Sequence, residues 1–124
     1  MINRVLLFIG AAVTILWGIS HLIPTRAVVK GFGTISSDNK NIITMEWIVE
    51  GFALIFIGAF VAIVTINDLR NPVSTAVYLL SAFGLIVLAL ISLFTGFKVN
   101  FLPFKLCPFI FIASAVLIFI GWIV

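Results

Sequence analysis

Four long apolar stretches divide this chain, separated by short polar breaks. The first runs from Val5 to Ile23, between Arg4 and Pro24. The second, Ile42 to Ile66, is about 25 residues, enough to cross a bilayer with some tilt. The third runs from Pro72 to Phe94, and the fourth from Phe104 to Val124. A bilayer core needs about 20 apolar residues in a helix. None of the runs alternates polar and apolar positions, as a membrane β-strand would. In lipid, every backbone polar group has to be satisfied within a helix or a closed barrel. The pattern therefore predicts an all-α integral membrane protein. It is a single domain, a bundle of four transmembrane helices over 5–23, 42–66, 72–94 and 104–124. The first run is longer than a signal-peptide core and no small-x-small cleavage site follows it, so it reads as a retained helix.

The breaks carry the expected punctuation. In the connection 24–41, Ala27-Val28-Val29 is too short to span and is interrupted by Gly31 and Gly33. It is expected to lie at the membrane interface or to dip inward. Ser36-Ser37-Asp38-Asn39 is a cluster of capping side chains ahead of the second helix. Asn67, Asp68, Arg70 and Asn71 form a polar turn, with Asn71-Pro72 reading as an N-cap and a first-turn proline. Pro103 and Pro108 offer two starts for the fourth helix. Gly10, Thr14 and Gly18 make a small-residue stripe that lets another helix approach closely. Ser74, Tyr78 and Ser81, then Gly84, read as a packing stripe on the third helix. Ala113, Ser114, Ala115 and Gly121 do the same on the fourth, and Trp122 reads as an interfacial anchor.

Composition strengthens the membrane reading. The chain is 64% hydrophobic and 9% charged, whereas soluble domains carry about 25% charged residues. The net charge of +3 sits in loops. It speaks to topology and to contact with anionic lipid headgroups, not to nucleic acid. Arg26, Lys30, Lys40, Lys98 and Lys105 fall on one side, and Arg4 and Arg70 on the other. That bias predicts a multi-pass protein of a bacterial-type inner membrane, with the first and third connections in the cytoplasm and both termini outside. The single cysteine, Cys107, excludes an intrachain disulfide and a C-x-x-C pair. It reads as a small buried side chain.

Candidate chemistry concentrates between His21 and Glu50, where seven of the twelve charged or histidine residues lie. Glu46 and Glu50 are four apart and share a helix face. Glu50 falls roughly 12 Å from a helix start near Ile42. An ionised carboxylate facing lipid there would cost about 2.5–3.5 kcal/mol or more. His21, ending the first helix on the same membrane side, is its expected partner, with Thr25, Asn39 and Tyr78 as further candidates. Trp17, Trp47 and Phe52 are placed to enclose a ring. The bland reading is a polar clasp between two helices. The functional readings are a pocket for a lipophilic ligand (quinone, sterol or lipid) or a partner subunit, a proton or cation path along His21, Glu46 and Glu50, and an acid–base enzyme acting on lipid. No H-E-x-x-H spacing marks a metal site, and no motif names a cofactor. The partners expected are the bilayer and either further copies of the chain or a membrane complex.

Glu50-Gly51-Phe52-Ala53-Leu54-Ile55-Phe56-Ile57-Gly58 resembles the E-x-x-G-x-x-L-x-x-G turn of the DoxX-like small four-helix membrane proteins, with the first glycine displaced. Arg4, the apolar run after it and Gly18-Ile19-Ser20-His21-Leu22 are similar to the start of that family. The resemblance covers about the first half of the chain. The family includes a small subunit of a thiosulfate–quinone oxidoreductase, so the resemblance implies a membrane accessory subunit near quinone or redox chemistry. This chain has no cysteine pair, so redox work would need a partner or a cofactor.

Overall fold

The computed structural model describes residues 3–67 and 71–124. Over these residues the chain is all helix, with no strand among them. The elements are α1 (Arg4–Leu22), α2 (Thr25–Gly31), α3 (Ser37–Ile66), α4 (Pro72–Phe94), a single 3-10 turn at Gly96–Lys98, and α5 (Leu102–Ile123). α1, α3, α4 and α5 are each long and apolar enough to cross a membrane. They are the four helices expected from the hydropathy pattern, and the architecture is an all-α bundle.

Helix boundaries follow local capping chemistry. Asn3 caps α1 by accepting from the Leu6 amide. Of the four candidate caps before α3, Ser36 takes the role, accepting from the Asn39 amide at 3.2 Å. α3 consequently begins at Ser37, five residues earlier than the apolar run. Asn71 and Ser74 form a reciprocal capping box at the start of α4, with Pro72 in the first turn. Pro103 sits in the first turn of α5, and Pro108 lies inside that helix rather than starting it. A proline there leaves the carbonyl four residues back without its helical donor. The connection 24–41 contains a helix of two turns, α2, which packs against α3. Asp68 and Arg70 of the polar turn lie outside the described residues.

α1 is the central helix. It packs most extensively on α3 and next on α5, while α4 packs chiefly on α5. The Asn3 amide donates to the Gly121 carbonyl at 2.8 Å, so the start of α1 and the end of α5 meet at one end of the bundle. The stripe Gly10, Thr14, Gly18 is shared between two neighbours. Gly10 abuts Ser114 and Ile118 of α5, whereas Gly18 lies against Gly51 and Ile55 of α3. The matching glycines on α3 are Gly51 and Gly58. A Cβ at Gly58 would stand 2.6 Å from the Ala11 carbonyl oxygen, and one at Gly18 2.6 Å from the Gly51 carbonyl oxygen. Lipid provides little driving force for helices to associate, so close packing of this kind carries the assembly. The outward faces are greasy, with Phe56, Phe60, Phe83 and Phe109 all exposed.

Helix lengths locate the membrane boundary. α1 has 19 residues, about one hydrocarbon thickness. α3 has 30, a rise of about 45 Å against a core of about 30 Å. It stays apolar to its last residue, Ile66, so the excess falls at its N-terminal end. Counting about 20 residues back from Ile66 puts the boundary near Trp47. Ser37 to Glu46 then stands at headgroup level. Glu50 lies only about 4–5 Å inside the boundary, shallower than a helix start at Ile42 implies.

Because the clash at Gly58 is with backbone, a methyl there is not relieved by a rotamer change. Gly58→Ala is expected to destabilise the bundle by about 1–3 kcal/mol, the usual range for overpacking. Gly84, where an added Cβ would meet nothing within 4 Å, is the control. Thermal unfolding in detergent should show a lowered midpoint for Gly58→Ala and an unchanged or raised one for Gly84→Ala. Equal midpoints would refute the close α1–α3 approach.

Candidate functional site

His21 closes the last turn of α1, one turn beyond Gly18. Trp47 and Glu50 lie on the turn of α3 just before Gly51. The Gly18–Gly51 contact therefore brings the two polar helix faces together. His21 is 5% exposed. Its Nδ1 donates to the Trp17 carbonyl at 3.0 Å. A carbonyl only accepts, so that contact assigns the hydrogen to Nδ1. Nε2 is left facing Glu50, whose Oε1 is 3.5 Å away. That is ion-pair reach, longer than a well-formed hydrogen bond. The Glu50 side chain is 41% exposed, which its shallow position permits.

The end of α1 leaves carbonyls without helical donors. The Trp47 indole N–H donates to the His21 carbonyl. The Thr25 hydroxyl donates to the Leu22 carbonyl at 2.8 Å and approaches that of His21 at 3.4 Å. Two side chains from beyond α1 thus finish its last turn. Around the imidazole the aromatic rings form an enclosure. Trp47 lies tilted over it at 5.0 Å between centroids, Trp17 meets it edge-on at 5.7 Å, and Phe104 of α5 stands edge-on to Trp47 at 5.5 Å.

These groups line a cavity of about 170 Å³, completed by Ser20, Pro24, Phe101, Pro103 and Cys107. The Trp17 indole N–H is buried and has no hydrogen-bond partner. An unsatisfied buried donor costs about 1–3 kcal/mol. A second cavity of about 420 Å³ adjoins the first, sharing Pro24, Phe101 and Phe104 and continuing along Ala27, Val28 and Phe32 of the α2 region. Both are lined mainly by apolar side chains, so the His21 cavity has a greasy extension.

The other expected site residues are distributed differently. Glu46 is exposed, one turn above Glu50 at headgroup level. Asn39 uses its backbone amide in the α3 cap and is exposed. Tyr78 lies at the opposite end of the bundle, where its hydroxyl meets Thr65 at 3.1 Å. α4 starts at the end away from His21, so seven residues into it Tyr78 cannot reach Glu50. Phe52 faces outward at 48% exposure, because position 52 is turned about 100° per residue away from the Gly51 face. Phe104 encloses the ring in its place. Phe101, Phe104 and Cys107 come from the fourth spanning helix and its approach, and no spacing along the chain links them to His21. The Cys107 thiol is buried and donates to the Pro103 carbonyl at 3.4 Å. Among the described residues, no three His, Cys, Asp or Glu side chains converge as metal ligands.

Fold and site together define a multi-pass helical membrane protein with an aromatic, histidine-bearing cavity at one membrane face. Compared with known proteins, the chain matches no family model, no curated protein and no solved structure.

The two tryptophans separate cleanly by experiment. Trp47→Phe removes the donor to the His21 carbonyl and should cost about 1–3 kcal/mol. Trp17→Phe removes a donor that bonds nothing in the protein and should cost distinctly less. Unfolding in mixed detergent measures both, and equal losses would contradict the assigned roles.

Proposed function

We propose that this protein binds a lipophilic ligand with a single-ring, carbonyl-bearing head, of the quinone class, in the His21 cavity. The observation that carries the reading is the buried indole N–H of Trp17, which lacks an acceptor and belongs to a side chain that lines the cavity. A ligand carbonyl supplies one. The volume supports a monocyclic head, since a cavity of about 150 Å³ accommodates benzene. The four fused rings of a sterol exceed it. The adjoining apolar cavity suits the tail, and the position near the boundary suits an amphipathic molecule whose head stays close to the headgroups. His21 lines the cavity and Glu50, outside the lining, stands 3.5 Å from its Nε2, so an ionisable pair lies beside the ligand head. The resemblance to DoxX-like proteins points the same way, toward an accessory subunit near quinone chemistry.

A proton path has weaker support. Beyond Glu50, the buried polar groups described in the core are Thr14, Thr65, Ser74, Tyr78 and Ser114. None is a carboxylate or imidazole, so the ionisable series stops at one face. We place that face in the cytoplasm of a bacterial inner membrane. Arg26, Lys30, Lys40, Lys98 and Lys105 all lie at the His21 end, and positive charge favours the cytoplasmic side.

Calorimetric titration of the protein in nanodiscs with a short-chain benzoquinone tests the reading. Saturable binding is expected. Trp17→Phe should weaken it about five- to tenfold, the equivalent of one hydrogen bond of about 1–1.5 kcal/mol. Tyr78→Phe, at the far end, should leave it unchanged. Absence of binding, or affinity indifferent to both Trp17→Phe and His21→Ala, would reject the proposal.

A further inference from the structure

A third cavity, of about 710 Å³, opens beside α2 on the flank away from Phe101 and Phe104. We infer that it holds the phosphodiester headgroup of an anionic bilayer lipid. Arg26 and Lys30 reach it from α2, and Lys40 from the first turns of α3. No acidic side chain lines it. Asp38, the acid nearest in sequence, and Glu46 both fall outside the lining.

The arrangement is electrostatically one-sided. Arg26 and Lys30 are four residues apart on a helix, a spacing at which like charges repel. Lys40 adds a third positive charge from a different element. No ion pair to any of the three is present among the described residues. A bound anion relieves this repulsion. Among the small polar residues lining the cavity, the hydroxyls of Thr25 and Thr44 are spent on the Leu22 and Lys40 carbonyls.

Depth selects a lipid over a soluble anion. The cavity lies between the end of α1 and the start of α3, and Lys40 stands on the part of α3 that exceeds the hydrocarbon thickness. That is the level of lipid phosphates. Val29, buried, and Ile35 supply an apolar side to the same cavity, as the glycerol and first acyl carbons require. α2 itself is two-faced, with Ala27 and Val28 on the apolar cavity and Arg26 and Lys30 on the basic one. A short helix so divided lies in the interfacial plane. Basic pockets between spanning helices are a recognised way to hold anionic headgroups.

Native mass spectrometry of the full chain, offered equal phosphatidylglycerol and phosphatidylcholine, tests the site. One phosphatidylglycerol should be retained in preference to phosphatidylcholine, by about fivefold or more. The triple variant R26Q/K30Q/K40Q should retain at least tenfold less. The charge-conserving R26K/K30R/K40R should retain as much as the parent, which separates lost charge from lost folding. K98Q/K105Q, at the same membrane face but outside the cavity, should also bind as the parent does. Millimolar inorganic phosphate should leave the lipid in place. Equal retention of both lipids would overturn the inference, as would an equal loss in K98Q/K105Q. Displacement by inorganic phosphate would assign the cavity to a soluble anion and overturn the lipid as occupant.

Discussion

The close approach of α1 to α3 is the contact on which the rest depends. At Gly18 and Gly51 the two backbones approach so closely that neither position has room for a Cβ, and Gly58 is held as closely against the Ala11 carbonyl and Ile15. In lipid such contact is what holds helices together, because burying apolar surface from a hydrocarbon solvent gains little. The contact also sets the chemistry. His21 is one turn beyond Gly18, and Trp47 and Glu50 lie on the turn before Gly51. Bringing the glycines together brings the imidazole against the indole and within 3.5 Å of the carboxylate. A bulkier residue at either glycine would push apart the helix pair and the site at once.

A mismatch in helix length organises the membrane face. α1 matches the hydrocarbon core, while α3 exceeds it by about two to three turns. The excess is polar and sits above the boundary, where Lys40, Thr44 and Glu46 meet water and headgroups. The same geometry explains how Glu50 is tolerated at 41% side-chain exposure. It is close enough to the boundary that neither deep burial nor complete pairing is required. α2 fills the space between the ends of α1 and α3 and separates an apolar recess from a basic one.

The cavity at His21 is closed by residues that arrive from far along the chain. Phe104 packs on Trp47, Phe101 packs on Phe104 at 5.7 Å, and Cys107 comes with them. α5 can deliver these rings because it is the second neighbour of α1. Its own close contact is through Gly10 against Ser114 and Ile118. The central helix thus meets the aromatic wall brought by α5 on one side and Trp47 of α3 on the other, and its own Trp17 lines the cavity with them.

The four spans, the lipid solvent and the capping of α4 by Asn71 were legible from the chain alone. They follow from local rules: the length of apolar runs, the scarcity of charge, and a proline one residue after an asparagine. The pairing of His21 with Glu50 was also within reach. Short connections make successive helices neighbours, and a carboxylate near the core needs a partner. Which residues surround that pair was not legible. Tyr78 and Phe52 were reasonable candidates, yet the direction of α4 sends one to the far end, and helical rotation turns the other to lipid. Phe101, Phe104 and Cys107 carry no local mark, because their role arises from how α5 is set against α1. Helix periodicity orients a residue relative to its own axis. Only the packing of one axis on another decides what it faces, and in this bundle that is decided by backbone contacts at glycines.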